Sequence, residues 1–380
     1  MIEKKKREIP LALPSIGDEE KQAILAVLDT GWLTHGPKNQ EFEEAFARYH
    51  GMAHAVSVNS CASALHAAIE CLGIKGEVIV PSFTWVASAN AILRGGALPV
   101  FADIQQDTCN IDPRSIESLI TSRTEAIMPV HYAGQTADMT EIMRIAQRHH
   151  LAVIEDSAET IGGTHLGKLA GSFGVGCFSF FPTKNITTGE GGMVTTDDEP
   201  LSRKIRCLIG HGIDNSTYDR EISSVPWFKG ASMVGYNFRL TNFQAAMGLA
   251  QLQKLDLLNT KRQNIASVYN DLLSDIGQIL LPVEKPGNKH VFQMYTIQLR
   301  DASLREKLVN HLRYHGIGAS VHFTPVVHKM KTFESSTYRH GNMENTDLVS
   351  SRIITLPIYP DMAIADAEYI SSAIHSFFRR

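Results

Sequence analysis

The chain reads as an α/β protein: a large domain built on a mostly parallel sheet flanked by helices, then a smaller C-terminal α+β domain. Three observations predict this. From about residue 53 to 250, short apolar runs alternate with helical stretches, as strands and helices do along a parallel sheet. Near Gly248 that alternation gives way to one long helical stripe of Leu252, Leu255, Leu258, Ile265 and Val268. Finally, 380 residues at 43% hydrophobic and 20% charged are enough to bury a large core without disulfides. The boundary is expected between about 245 and 260, giving domains of residues 1–250 and 251–380.

Two helices are expected within residues 18–50. Ala23, Leu25, Val27 and Leu28 form the apolar set of one, Phe42, Ala45, Phe46 and Tyr49 that of the other, and the turn formers of Gly31-Trp32-Leu33-Thr34-His35-Gly36-Pro37 separate them. Strands follow at 55–58, 77–80, 98–102, 126–130 and 152–155, with helices at 63–72, 87–93 and 139–149. Residues 177–181 and 192–196 read as strands that present the segment 183–191 at a sheet edge. The C-terminal unit should hold a helix at 249–271, a strand at 292–299, a helix at 304–315 and a last helix from about 364.

Bulk properties exclude several classes. The formal charge is −4 with no basic stripe, which argues against a nucleic-acid partner. Residues 1–7 are basic, but the apolar stretch after them is short and bracketed by Pro10 and Pro14, so they read as a charged lead-in, not an export signal. No run of about 18 apolar residues exists, so no membrane span is expected. The five cysteines (Cys61, Cys71, Cys109, Cys177, Cys207) lack paired spacing and read as reduced thiols of a cytoplasmic protein, with no zinc or other metal site.

Four constellations could carry chemistry. Lys184 lies between an apolar strand and a glycine-rich turn, where a desolvated amine could form a Schiff base with a carbonyl cofactor; its plainer reading is a solvated loop lysine. Asp156 ends the strand of Val153-Ile154-Glu155-Asp156, where a carboxylate could hold a pyridine nitrogen protonated, or could cap the next helix. Asn59-Ser60-Cys61-Ala62-Ser63 is a small-residue turn into a helix, suited to phosphate or simply a capped helix. Trp85 follows a strand at the same expected edge, as a ring to stack on a flat heterocycle or as a core residue. Two other motifs fail. Gly162-Gly163-Thr164-His165-Leu166-Gly167-Lys168 has Leu169 where a P-loop needs Ser or Thr, and Gly171 to Gly176 reverses the dinucleotide spacing. His149 and His150 have no acidic partner at metal spacing and should close a helix at the surface.

Taken in chain order, from Gly31 through Val321-His322-Phe323-Thr324-Pro325, these pieces resemble the DegT-type nucleotide-sugar aminotransferases, a family of fold-type I enzymes that use pyridoxal 5′-phosphate (PLP). The resemblance implies that Lys184 is the Schiff-base lysine and proton shuttle, that Asp156 pairs with the ring nitrogen, and that Trp85 stacks on the ring. It implies a phosphate site of Ser179 with the Cys61 and Ala62 amides, and places Glu159 near the phenolic oxygen, where Gln or His is common. Asn237, in Gly235-Tyr236-Asn237-Phe238-Arg239, would reach the phosphate of a partner subunit, which makes the enzyme a homodimer with shared sites. Ala62 departs from the family's usual Thr, and weaker PLP retention is expected. The implied reaction moves an amino group from glutamate to a nucleotide-linked keto-sugar. Asn185-Ile186-Thr187-Thr188-Gly189-Glu190-Gly191-Gly192 and Val321-His322-Phe323 with Pro325 resemble members that aminate C4. His322 would touch the sugar or diphosphate, or only pack at a strand end. Arg239 would meet a substrate anion, or only bridge the subunits. The alternatives are a C3 keto-sugar or cyclitol aminotransferase, and a PLP-fold binding protein without turnover.

Overall fold

The computed structural model describes residues 8–214, 218, 227, 230–335 and 337–379; the basic lead-in lies outside them. The chain opens with α1 (Asp18–Thr30) and α2 (Pro37–His50). Gly31 ends α1 in the left-handed region at φ 70°, and Gly36 precedes Pro37 at the first turn of α2, so the expected break is made by glycines and proline. Then come β1 (His54–Val58), α3 (Cys61–Leu72), β2 (Glu77–Pro81), α4 (Val86–Arg94), β3 (Leu98–Ala102), α5 (Pro113–Leu119), β4 (Thr124–Ile127), α6 (Met139–His149), β5 (Ala152–Asp156), β6 (Val175–Ser179), β7 (Gly192–Thr196) and α7 (Glu199–Ile209). The long α8 (Asn242–Leu273) leads to β8 (Ile279–Leu280), β9 (Tyr295–Leu299), α9 (Arg305–Tyr314), α10 (Glu344–Arg352), β10 (Ile353–Leu356) and α11 (Ile364–Phe378).

Seven strands form one sheet in the order β1-β7-β6-β5-β4-β2-β3. All its pairings are parallel except those of β7, which runs against both β6 and β1. Strands β1, β2, β5 and β6 therefore end at one edge, and β7 begins there. Every constellation singled out above follows one of those ends, where ligands of open α/β sheets bind. The strands read as unbroken apolar runs because both faces are covered. Helices α3, α4 and α7 cover one face, with Leu65, Ile92 and Ile205 against Val80, Ile154 and Val194. Helices α5 and α6 pack Ile116 and Ile142 on Ile79 and Ile127 of the other face, and α2 lays Phe42 and Phe46 on Phe178 and Met193.

The expected boundary near 250 falls inside α8, which runs 32 residues without a break. Its Leu252, Leu255 and Leu258 join the cluster of Phe42 and Phe46, while Ile265, Tyr269 and Leu273 join that of Tyr295, Leu308 and Ile370. Gly248 lets α2 close on this helix, since a Cβ there would lie 2.6 Å from the Phe42 ring. The second cluster is the core around the three-stranded sheet β8-β9-β10.

Several bounds differ from expectation. The strand expected at 177–181 is β6, Val175–Ser179, two residues earlier, because Ser179 is where pairing with Gly192 ends. The strand expected at 292–299 starts at Tyr295, since Phe292 has a positive φ of 42° that no strand accepts. Helix α5 is only seven residues, too short for its period to register. Helix α7 carries the period Leu201, Ile205, Leu208 and was not anticipated. As expected, α6 closes on His149 with His150 exposed in the left-handed cap position. Residues 164–165 and 168–169 pair as a short antiparallel ladder, which is no phosphate loop.

Candidate active site

The parallel edge opens into a cavity of about 500 Å³. Its floor is the end of β5. Glu155, fully buried, accepts the amides of Gly171 (2.8 Å), Phe173 (2.7 Å) and Gly174 (2.8 Å), and its Oε2 lies 3.0 Å from His131 Nε2. His131 Nδ1 accepts the Ala137 amide, so the ring proton sits on Nε2 and points at Glu155. Glu155 thus fixes the strand end, and the next residue, Asp156, turns to the opposite face and into the cavity.

Asp156 accepts the Ser88 hydroxyl at 2.8 Å and the Ala158 amide at 3.2 Å. Burial pushes its carboxyl above the ordinary aspartate range, with Glu159 adding to the rise and Ser88, Ala158 and Lys184 opposing it. A buried carboxylate raised in this way is stabilised by a cationic ligand. The helix-cap alternative for Asp156 is set aside, because the bond to Ala158 closes a local turn with no helix after it. Lys184 is not a solvated loop lysine: its side chain is 15% exposed and Nζ lies 3.2 Å from Glu159 Oε1, whose other oxygen accepts the Ala133 amide at 3.0 Å. The Lys184 backbone is held from beneath by its N–H to the Phe181 carbonyl at 2.9 Å.

At the far side, α3 starts at Cys61, two residues before the expected position, because Ser60 caps it by accepting the Ser63 amide at 3.1 Å. The amides of Cys61 and Ala62, in a first turn with no intrahelical acceptors, stand at the cavity wall. Gly192 makes the approach of β7 to this turn feasible, since a Cβ there would lie 2.8 Å from the Cys61 nitrogen. Ser179 accepts the Phe181 amide at 3.3 Å, which leaves its own proton to donate. Ser63 does not supply the hydroxyl missing at Ala62, because it donates to Asn59 Oδ1 at 2.7 Å.

Trp85 is 63% exposed on the cavity wall and is not a core residue. His322 also lines the cavity, with Nδ1 2.9 Å from Thr355 Oγ1; burial lowers its pKa, which favours the neutral ring. Asn237 and Arg239 lie elsewhere. Arg239 pairs with Val58 in an isolated bridge and lines a separate cavity with His35 and Arg206; its Nε donates to Asn237 Oδ1 at 3.1 Å. Ser88, Gln293, Thr355 and Ile358, together with Leu11 and Ala12 near the chain start, were not anticipated as cavity residues. Only Ser88, three residues after Trp85, lay within reach of a local motif.

An amine against a carboxylate, a second buried carboxylate in need of a cation, and an amide-lined helix start at one apolar cavity fit PLP. Residues 14–375 match the sequence profile of the DegT/DnrJ/EryC1/StrS aminotransferase family. The chain belongs to that family. Over 386 aligned residues it is 38% identical to the spore coat polysaccharide biosynthesis protein SpsC of Bacillus subtilis, covering 100% of this chain and 99% of SpsC. Its fold matches Helicobacter pylori PseC, an aminotransferase involved in the biosynthesis of pseudoaminic acid, with a TM-score of 0.91 at 29% identity over 98% of this chain and 100% of PseC. It also matches DesI, solved in the presence of its TDP-sugar product, with a TM-score of 0.87 at 27% identity over 98% and 93% of the two chains. DegT-family enzymes are PLP-dependent sugar aminotransferases, and this chain is one. Among the described residues no helix is long and apolar enough to cross a membrane, and no cluster of metal-ligating side chains forms.

Proposed function

We propose that the enzyme holds PLP covalently on Lys184 and moves the amino group of glutamate to a nucleotide-linked keto-sugar, at C4. The observation that carries this reading is the buried array at the cavity floor, where Lys184 Nζ sits 3.2 Å from Glu159 with Asp156 beneath. Bound PLP supplies a carbonyl for the amine and a ring that withdraws electrons once its nitrogen is protonated. Asp156 would hold that nitrogen protonated. Lys184 would serve as the base that takes the proton from the donor Cα and as the acid that returns one when the sugar is aminated. Glu159 orients the lysine amine. Ser179 and the Cys61 and Ala62 amides would hold the phosphate, and Trp85, exposed on the cavity wall, would offer its ring for stacking.

The substrate assignment is supported by the segment 185–192 and by His322 at the cavity wall, and the TDP-sugar in DesI supports a nucleotide-linked acceptor. Asn237 and Arg239 stand outside the cavity of their own chain, which supports a homodimer in which they serve the partner's site. Five buried free thiols fit a reducing cytoplasm. Glutamate is to be offered with a panel of nucleotide 4-keto- and 3-keto-sugars and a cyclitol ketone, with products identified by mass spectrometry and NMR. Glutamate-dependent amination at C4 is expected. Amination only at C3 or of the cyclitol would overturn the assignment, and no turnover with any acceptor would favour a binding protein.

A further inference from the structure

Arg262, in the middle of α8, is 2% exposed and is among the largest fully buried side chains. Burial lowers its pKa to about 10, so at neutral pH it remains a cation. Among the described residues it forms no ion pair with any carboxylate. Its guanidinium instead donates to two backbone carbonyls: Nη1 to Ile358 at 3.0 Å and Nη2 to Lys184 at 3.4 Å. Nε has no hydrogen-bond partner. A buried cation without a counter-charge is costly, so its presence here calls for a reason beyond filling space. The two carbonyls it joins both belong to residues of the cavity wall, one from the lysine turn and one following β10.

Neighbouring bonds follow the same pattern. The carbonyl of Thr183, just before the lysine, accepts Gln293 Nε2 at 2.8 Å. Asn185, just after it, donates Nδ2 to Asn259 Oδ1 at 2.7 Å, and the Thr187 amide donates to Gln251 Oε1 at 3.2 Å. Gln251, Asn259 and Arg262 lie on one helix that enters both hydrophobic cores. The lysine turn is thus gripped at 183, 184, 185 and 187 by side chains from far along the chain.

We propose that Arg262 is a positioning residue for Lys184: it ties the lysine's own carbonyl to that of Ile358 and so holds the amine at a fixed height above the cavity floor. This rests on the reading of Lys184 as the lysine that carries the cofactor. The test uses full-length PLP-loaded enzyme as wild type, Arg262→Met, Arg262→Lys and Gln293→Leu. Thermal melting, the single-turnover rate with glutamate followed by cofactor absorbance, the glutamate KM, and the pH midpoint of that absorbance are measured. A displacement of about 1 Å costs on the order of 10²-fold in rate, so Arg262→Met should slow the half-reaction by about that factor while KM moves less than about threefold. The pH midpoint should shift, and Arg262→Lys should recover about tenfold of the rate, since one carbonyl regains a cationic donor. A lowered melting temperature with an unchanged rate and midpoint per loaded enzyme would make Arg262 purely structural and overturn the proposal. Should Arg262→Met fail to fold, Gln293→Leu must slow the same step at least about tenfold, and an unaltered rate there overturns the proposal. Wild-type protein that retains no PLP on Lys184 after borohydride reduction would overturn the reading beneath it instead.

Discussion

The two ends of the cavity are built differently. At the lysine end, charged groups are held in place: Lys184 by Glu159, Asp156 by Ser88 and Ala158, and the backbone of the turn by α8. At the helix end the groups are neutral amides and hydroxyls, and the side chain at 62 is a methyl group. On the proposed reading, the end over-determined in position carries the chemistry, and the other anchors the cofactor with one side-chain donor fewer. Changes at the first end should therefore cost rate, and changes at the second should alter retention of the cofactor.

The largest effect is expected at Lys184. Lys184→Arg keeps a cation near Glu159 but removes the amine proposed to form the covalent bond and carry the proton. Turnover should fall on the order of 10⁴-fold, the upper range for losing a positioned proton carrier. The protein should still fold, since the ion pair with Glu159 is conserved in sign. Steady-state turnover with glutamate and a keto-sugar checks it, and activity within tenfold of wild type would remove Lys184 from the chemistry.

Both ends were legible in the sequence to the extent that they are local. Asp156 and Ser179 end strands, Cys61 and Trp85 follow strands within a few residues, and parallel strand ends converge on one edge, so reading the strands placed the motifs together. Gln293, Thr355, Ile358 and Arg262 reach the lysine across about 75 to 175 residues, and no local period records that approach. Arg262 is the sharpest case: an arginine in an amphipathic helix reads as a surface residue, and only the backbone carbonyls it meets explain its burial. The change in pattern near 250 falls within a helix that serves both cores, so no local break in the chain marks it.

A second and smaller effect concerns Asp156 and pH. Its folded-state pKa is raised, chiefly by burial. The folded chain without cofactor therefore holds this proton more tightly than the unfolded chain, and the stability it contributes is present below the ordinary aspartate pKa and lost as pH rises through the raised one. Asp156→Asn should remove that loss. Cofactor-free Asp156→Asn should melt higher than wild type at neutral pH and about equally at pH near 3.5, while the loaded variant turns over about 10²-fold more slowly for want of a charge at the ring nitrogen. Melting curves of both cofactor-free proteins across that range check the sign. A wild-type curve that rises with pH as steeply as its neighbours' carboxylates demand, with no difference from the variant, would show Asp156 to be paired already.

The smallest effect is expected at the helix end, and it separates anchoring from chemistry most cleanly. Ser63 donates its proton to Asn59, and the Ser60 hydroxyl, 3.0 Å away, then points its proton at Ser63 Oγ. Both hydroxyl protons of the turn are thus committed within it, and the Ser179 proton is left as the side-chain donor beside the Cys61 and Ala62 amides. Ala62 is exposed at the cavity, so a larger side chain has room. A threonine hydroxyl there would add one hydrogen bond to a charged group, worth about 1.5–3 kcal/mol, or at least a tenfold lower Kd. Ala62→Thr should therefore lose PLP at least about tenfold more slowly on dialysis, with kcat within about twofold of wild type, because nothing at the lysine end has moved. Equal retention in the two proteins would mean that the amides and Ser179 already saturate the anion, and that the difference between the two ends lies only in their burial.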